Sequence, residues 1–160
     1  MVRFLIFCTE MNRAAHKDMG DGVMKLQIAK QLIECVERRA AETGLRAVIA
    51  VCNAYGNPVA VHVMDDAFLV SYDVATKKAY TSVAVKMSTM ELSKIAQPGQ
   101  TFYGVDKLDG GKIVIFGGGI PLKDGDRIVG GLGISGGTGE EDHALAVFGE
   151  KVFQELIKMQ

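Results

Sequence analysis

Two short runs rich in glycine stand near charged residues and could together bind a small polar ligand. They occupy residues 117–119 and 135–137, and the second run leads into Asp142 and His143. Glycine lets a ligand approach backbone N–H groups closely, and Lys78 would add a positive charge for a carboxylate. Because Lys78 shares a helical turn with Ala75 and Ala79, its side chain is predicted to point inward, toward Asp65 or Asp66. The pattern predicts one polar pocket, which a second subunit could complete. The residues predicted to line it are Lys78, Asp65, Gly117, Gly118, Gly119, Pro121, Ser135, Gly136, Gly137, Asp142 and His143, with Phe116 and Ile120 as an apolar wall.

The glycine runs also have plainer interpretations. Residues 131–136 match G-x-G-x-x-G, but the pattern predicts no strand after the helix that follows, so a dinucleotide site is excluded. Thr138 and Glu141 form a capping box that opens this helix, and its acidic first turn would repel a phosphate. Ligand binding, subunit packing and strand bending therefore all stay open for the glycine runs.

The histidines do not predict a metal cage. His16, His62 and His143 show neither H-x-x-x-H nor H-E-x-x-H spacing, the arrangements that would suggest a zinc site. A haem iron needs only one or two axial ligands. Any His, Met, Cys or Tyr of the chain could supply one, and the sequence does not choose between them.

The spacing of apolar residues predicts an α+β domain whose helices and strands would position these residues. Hairpin-length turns join neighbouring strands, which indicates antiparallel pairing, and helices would pack against the sheet. The predicted fold is therefore one five-stranded antiparallel sheet with helices. The predicted helices are residues 25–43, residues 70–85, a short helix opened by a capping box at Ser88, and residues 138–158; the predicted strands are residues 46–52, 59–64, 112–116, 120–123 and 127–134.

Composition excludes several classes of protein. Lys plus Arg number 18 against 19 Asp plus Glu, a net charge of -1, whereas a nucleic-acid module normally carries a basic patch. No segment approaches the roughly 18 apolar residues of a membrane span. Cys8, Cys35 and Cys52 form no C-x-x-C motif, and reduced thiols are typical of the cytoplasm. We expect a cytoplasmic protein with neither nucleic-acid nor membrane partners.

The 160 residues favour a single domain, predicted over residues 24–160. Residues 1–23 lack an apolar face and predict an extension, either disordered or the result of a start assigned upstream of a functional Met24. A helix over residues 11–19 is the alternative. Small residues at Ala75, Ala79, Gly130 and Gly131 suggest a closely packed surface, and hence a homo-oligomer.

Several segments, taken in order, resemble the GlcG/HbpS-like family. The resemblance covers residues 24–156, nearly the whole chain. It rests on Gly56-Asn-Pro58, Met64-Asp-Asp-Ala67, Ala75-x-x-Lys78-Ala79-x-Thr81, Gly117-Gly-Gly-Ile-Pro121, and Ile128-Val-Gly-Gly-Leu-Gly-Ile-Ser-Gly-Gly137 running into Glu141-Asp142. Two positions depart from the family pattern, since Val63 stands where arginine is common and His143 where an acidic residue is common.

The resemblance implies a profilin-like α/β/α domain that forms higher oligomers, often octamers. The family includes haem-binding and haem-degrading proteins and the C-terminal domain of PduO-type adenosyltransferases. The resemblance does not extend to the separate adenosyltransferase domain, so that activity is not implied. The cofactor implied is haem or another tetrapyrrole.

Three hypotheses of function follow. The first is a cytoplasmic, oligomeric haem- or tetrapyrrole-binding protein, accessory to corrinoid-dependent or propanediol-type metabolism. The second is a small enzyme that acts on an organic acid or a cofactor intermediate through Lys78, Asp65 and Asp142. The third is a structural or regulatory assembly protein without a small ligand. The sequence assigns neither a catalytic residue nor a metal ligand.

Overall fold

The structure, a computed structural model, describes residues 23–159. The predicted extension, with Cys8 and His16, lies outside the described residues apart from Val23. The helices are α1 (Leu26–Glu42), α2 (Ser71–Ala84), α3 (Thr89–Ile95) and α4 (Gly139–Lys158), and the strands are β1 (Val48–Asn53), β2 (Pro58–Val63), β3 (Gly119–Asp124) and β4 (Arg127–Ser135). Two 3-10 turns, Val105–Lys107 and Asp109–Gly111, lie in the long connection between α3 and β3.

The strands form one antiparallel sheet in the order β2-β1-β4-β3. The central pair joins distant parts of the chain, with Val48 of β1 opposite Ser135 of β4. Two hairpins extend the sheet outward, β1 with β2 and β4 with β3. Because β3 begins where β4 ends, the two glycine runs lie at the same end of the sheet.

Helices cover both faces of this sheet. Along β1, Ile49 and Val51 belong to a large core beneath α1 and α4, while Val48, Ala50 and Cys52 face α2, as the two-residue period of a strand requires. Burial raises the pKa of the Cys52 thiol to about 11, so this cysteine stays a neutral thiol near pH 7. The domain therefore has three layers, with α2 on one face of the sheet and α1 with α4 on the other.

Glycines on β4 let α2 lie directly on the sheet. A Cβ at Gly133 would overlap the carbonyl oxygen of Ala75, and a Cβ at Gly131 would overlap that of Ala79. Backbone atoms cannot rotate aside, so a larger residue would push the helix away. The small residues of α2, which suggested a subunit interface, are thus packed within the chain and give no support to one.

Residues 112–116, predicted as a strand, do not join the sheet. The hydroxyl of Thr81 on α2 donates to the Lys112 carbonyl at 3.2 Å and accepts from the Val114 N–H at 3.0 Å. Ile113 and Val114 are buried, which accounts for the apolar pattern. Because a helix side chain takes the place of a neighbouring strand as the hydrogen-bond partner, the described part of the chain has four strands rather than five.

Candidate functional site

Lys78 of α2 and Asp142 in the first turn of α4 form a buried ion pair. Lys78 Nζ donates to Asp142 Oδ2 at 2.7 Å and to the carbonyl oxygen of Ile134 at 2.8 Å. The N–H groups of Gly136 and Gly137 donate to Asp142 Oδ1 at 3.0 and 2.9 Å. Lys78 is 0% and Asp142 2% exposed. Each charge is therefore compensated by hydrogen bonds, as buried charges must be.

The first glycine run closes over this pair. A Cβ at Gly118 would lie 2.7 Å from Lys78 Nζ and 2.6 Å from the Ile134 carbonyl oxygen, and the φ of Gly118 is +121°. The Phe116 ring, 48% exposed, has its centroid 5.0 Å from Lys78 Nζ, which is a cation–π contact. The ammonium group therefore lies beneath protein atoms and is not open to a ligand in this conformation.

Burial shifts both groups of the pair toward their neutral forms. It lowers the pKa of Lys78 against the attraction of Asp142. It raises the pKa of Asp142 against the attraction of Lys78 and the hydrogen bonds from the two glycine amides. Removing either partner would leave the other as an uncompensated buried charge, so the pair ties α2 to the first turn of α4.

Asp65 lies outside this group of residues. It is exposed in the turn that follows β2, and Lys78, predicted to point toward Asp65 or Asp66, pairs with Asp142 instead. Lys78 lies on the side of α2 that packs on β3 and β4, where a Cβ at Gly119 would overlap the Lys78 carbonyl oxygen. Ser135 ends β4, and its hydroxyl lies 3.1 Å from that of Ser71.

His143 faces a cleft with a volume of about 770 Å³, which we call the His143 cleft. It lies between α3, β3 and α4, and Ile120 and Pro121 of β3 form part of its apolar wall. An α-helix turns by about 100° per residue. Consecutive residues of α4 therefore point in different directions, Asp142 into the protein and His143 into the cleft.

The buried Nδ1 of His143 has no hydrogen-bond partner. Buried polar atoms are normally paired, so an unpaired ring nitrogen beside a cleft is consistent with a missing ligand. Met87 and Met90 line the same cleft, and imidazole and thioether groups are common axial ligands of haem iron. Lysines at positions 86, 94 and 123 also line it and could pair with carboxylates. The donor set therefore fits haem.

Pro121, Ile120 and His143, predicted from the sequence as pocket residues, line the His143 cleft, whereas its methionines and lysines were not predicted. These residues form no motif that marks a binding site. The available signal was weak: Met87 and Met90 lie close together in the sequence, on either side of the Ser88 cap, but only Met90 belongs to the helix that the cap begins.

Ser88 caps α3 at the edge of the cleft. Ser88→Ala is expected to lower the free energy of unfolding by about 1 kcal/mol at neutral pH. The Ser88 hydroxyl and the Ser88 N–H donate to Glu91 Oε2 at 2.8 and 3.0 Å, and these hydrogen bonds hold the pKa of Glu91 below its ordinary value. A carboxylate whose folded-state pKa is depressed adds stability above its unfolded pKa and loses it as the pH falls through the folded value. The difference in unfolding free energy between parent and variant should therefore shrink below pH 4.5, measured by urea denaturation.

Ser93→Ala is the control for this prediction. Its hydroxyl donates to the Met90 carbonyl at 2.7 Å and holds no carboxylate, so its cost should not change with pH. A Ser88→Ala cost that stays constant into acid would contradict the assigned role of Glu91.

A second cavity, of about 440 Å³, lies between α1 and α4. Arg39, Leu45 and Lys151 line it, and the Arg39 guanidinium lies 5.9 Å from the centroid of the Phe148 ring. Within residues 23–159, no group of three or more His, Cys, Asp and Glu residues could hold a metal ion. In the same range, every helix is too short or too polar to cross a membrane.

Comparison with known proteins identifies relatives across most of the chain. A family model described as haem degrading protein HbpS-like matches residues 24–150. An uncharacterised 15.0 kDa protein of Citrobacter freundii, from the dhaT-dhaS intergenic region, is 36% identical over 88% of this chain and 99% of its own length. The corrinoid adenosyltransferase PduO of Salmonella typhimurium is 42% identical over 72% of this chain, which spans only 34% of that protein.

A solved structure of PduOC in complex with haem is similar to this chain. The two share 38% sequence identity with a TM-score of 0.78, over 81% of this chain and 94% of the other. A similarity of this extent makes the arrangement of layers described above common to both proteins.

Proposed function

The chain belongs to the HbpS-like family of haem-degrading proteins, and from that premise we propose that it binds haem or a closely related tetrapyrrole in the His143 cleft. The observation that carries the proposal is the buried Nδ1 of His143, which has no partner beside a cleft of about 770 Å³. The haem complex of PduOC, 38% identical to this chain, supports the choice of ligand.

Different residues of the cleft would bind different parts of the haem. The His143 imidazole would offer a ring nitrogen to the iron, with Met87 or Met90 as a further donor. Lys86, Lys94 and Lys123 would pair with the propionates, and Ile120 and Pro121 would cover part of the porphyrin face. Bound haem would supply the redox-active iron that such cofactors provide.

Of the other predicted ligand residues, we propose that the glycine runs, Ser135, Lys78 and Asp142 act as the framework behind the cleft. The Gly136 and Gly137 N–H groups and the Lys78 ammonium all donate to Asp142, and the Gly119 N–H donates to the Thr89 hydroxyl. Asp65, exposed in a turn, is assigned no role in binding.

His143→Ala is expected to weaken haemin binding by at least about tenfold, because it removes the proposed iron ligand. Binding would be measured by titrating haemin into the full chain and recording the Soret band. His62→Ala is the matched control, since His62 lies on β2, at the edge of the sheet opposite β3, where its Nδ1 pairs with Glu37 Oε2 at 2.9 Å, outside the cleft. Parent-like binding by His143→Ala, or an equal loss in His62→Ala, would contradict the proposal.

We also propose a role as an accessory protein in corrinoid-dependent metabolism, because PduO is 42% identical over the shared region. A cobalamin titration run beside the haemin titration tests whether the cleft takes a corrinoid. Competition between the two ligands, lost in His143→Ala, is the expected result if both use the cleft.

We propose that the protein also forms a homo-oligomer, with an octamer as the family expectation. Four apolar residues just before and at the start of α2 are exposed, namely Phe68, Leu69, Val70 and Tyr72, and a patch of this kind is typical of an interaction surface. Light scattering should give a mass several times 17.2 kDa, and a monomeric mass at micromolar concentration would contradict self-association.

A further inference from the structure

The buried ion pair and the His143 cleft meet at one point of the backbone. Asp142 ends the first turn of α4 and His143 follows it directly in the helix, so any rotation of that turn moves both side chains together. Asp142 is almost completely buried, whereas the imidazole of His143 lines the cleft. The contacts that fix Asp142 therefore also determine where His143 lies.

Asp142 is the buried anchor of this turn. At the exposed surface the start of α4 is held by the capping box, in which Thr138 and Glu141 bond to each other. Asp142 by contrast reaches two other parts of the fold, the end of β4 through the Gly136 and Gly137 amides and α2 through Lys78. Through these contacts the Asp142 side chain holds the turn against the end of β4 and against α2.

Lys78 is suited to hold Asp142 and not to react with a ligand. It is fully buried, its Nζ donates to Asp142 and to the Ile134 carbonyl, and Gly118 leaves no room for another atom beside it. A ligand group could not reach the ammonium without moving the first glycine run.

We propose that Lys78 and Asp142 are positioning residues, which hold the first turn of α4 so that the imidazole of His143 lies in the cleft. This inference rests on the proposed function only for the identity of the ligand. A buried pair replaced by neutral side chains of similar volume often leaves stability unchanged, so stability and the position of His143 can be separated by experiment.

The experiment compares Lys78→Met/Asp142→Asn with the parent in the full chain. The first measurement, without ligand, is the NMR resonance of the His143 ring C–H, assigned by its absence in His143→Ala. We expect this resonance to shift or broaden in the double variant while the protein stays folded. The second measurement is haemin binding, which we expect to weaken by at least about tenfold.

Lys77→Met/Asp73→Asn is the matched control. It removes the same two charges from a pair on α2 that lies 2.8 Å apart at the surface, one residue from Lys78. Its His143 resonance and haemin affinity should match those of the parent. If the buried double variant does not fold, Lys78→Gln/Asp142→Asn carries the test, because the Gln amide oxygen can accept from the Asn amide while its NH2 group donates to the Ile134 carbonyl in place of Lys78.

An unchanged His143 resonance in the folded buried variant would overturn the inference. If that resonance moves but the parent does not bind haemin, the positioning role stands and the proposed ligand is wrong. If the parent binds haemin through His143 and the double variant binds equally well, the proposed function stands and the positioning role is wrong.

Discussion

Gly133→Ala is expected to lower the free energy of unfolding by about 3 kcal/mol or more, at the upper end of the range for overpacked cores. The added methyl group would overlap the Ala75 carbonyl oxygen and lie 2.5 Å from the Ala79 backbone nitrogen. Both neighbours are backbone atoms of α2, so only a displacement of the whole helix relieves the overlap. Urea denaturation followed by circular dichroism would measure the loss.

Gly139→Ala is the matched control, because it makes the same substitution at a glycine where a methyl group has room. A Cβ there would lie 3.4 Å from its nearest neighbour, the Gly117 backbone nitrogen, which is ordinary van der Waals contact. Replacing glycine by alanine at a compatible position stabilises by about 0.4–1 kcal/mol. Two variants with similar stabilities would contradict the direct packing of α2 on β4.

Lys78→Ala is expected to cost about 3–5 kcal/mol at neutral pH, as measured for broken buried ion pairs. It leaves the Asp142 carboxylate buried without its cation and opens a cavity beneath Phe116. Denaturation of the full chain in urea at pH 7 measures the cost.

Lys77→Ala provides the comparison on the same helix. Lys77 pairs with Asp73 at the surface, and exposed pairs contribute about 0–1 kcal/mol. Equal costs for the two alanine variants would show that the buried pair contributes no more than a surface pair.

Local sequence signals predicted the helices and hairpins well. The capping boxes at Ser88 and Thr138 both form, with the reciprocal side-chain and backbone hydrogen bonds that the motif requires. The β1–β2 turn passes through Gly56, whose φ is +78°, as expected for a glycine in a tight turn. Such signals act over a few residues and do not depend on the identity of a distant partner.

The errors arose where the partner lay far along the chain. Residues 112–116 have a strand pattern, yet the hydrogen-bond partner of Val114 is Thr81. Lys78 was predicted to face Asp65 or Asp66 and instead pairs with Asp142. Burial can be inferred from composition, but the identity of a distant partner depends on how the layers stack, which a single sequence does not specify.

The candidate site was predicted only in part, because some of its residues are brought together from distant parts of the sequence. His143 stood out because it follows a glycine run and a capping box. The methionines and lysines of the His143 cleft lie on the connection before α3, on α3 and on β3, and only the tertiary fold brings those elements together.

The placement of β4 beside β1 has a consequence for synthesis of the protein. Every residue from Val48 to Cys52 is buried in the finished sheet, yet the partner strand is translated much later. A two-stranded hairpin alone is at best marginally stable in water, so β1 and β2 would leave the ribosome with an apolar, unpaired edge. Long-range strand pairing is slow and exposes such edges to aggregation. Chains arrested before Arg127 should therefore depend on chaperones that bind extended apolar segments.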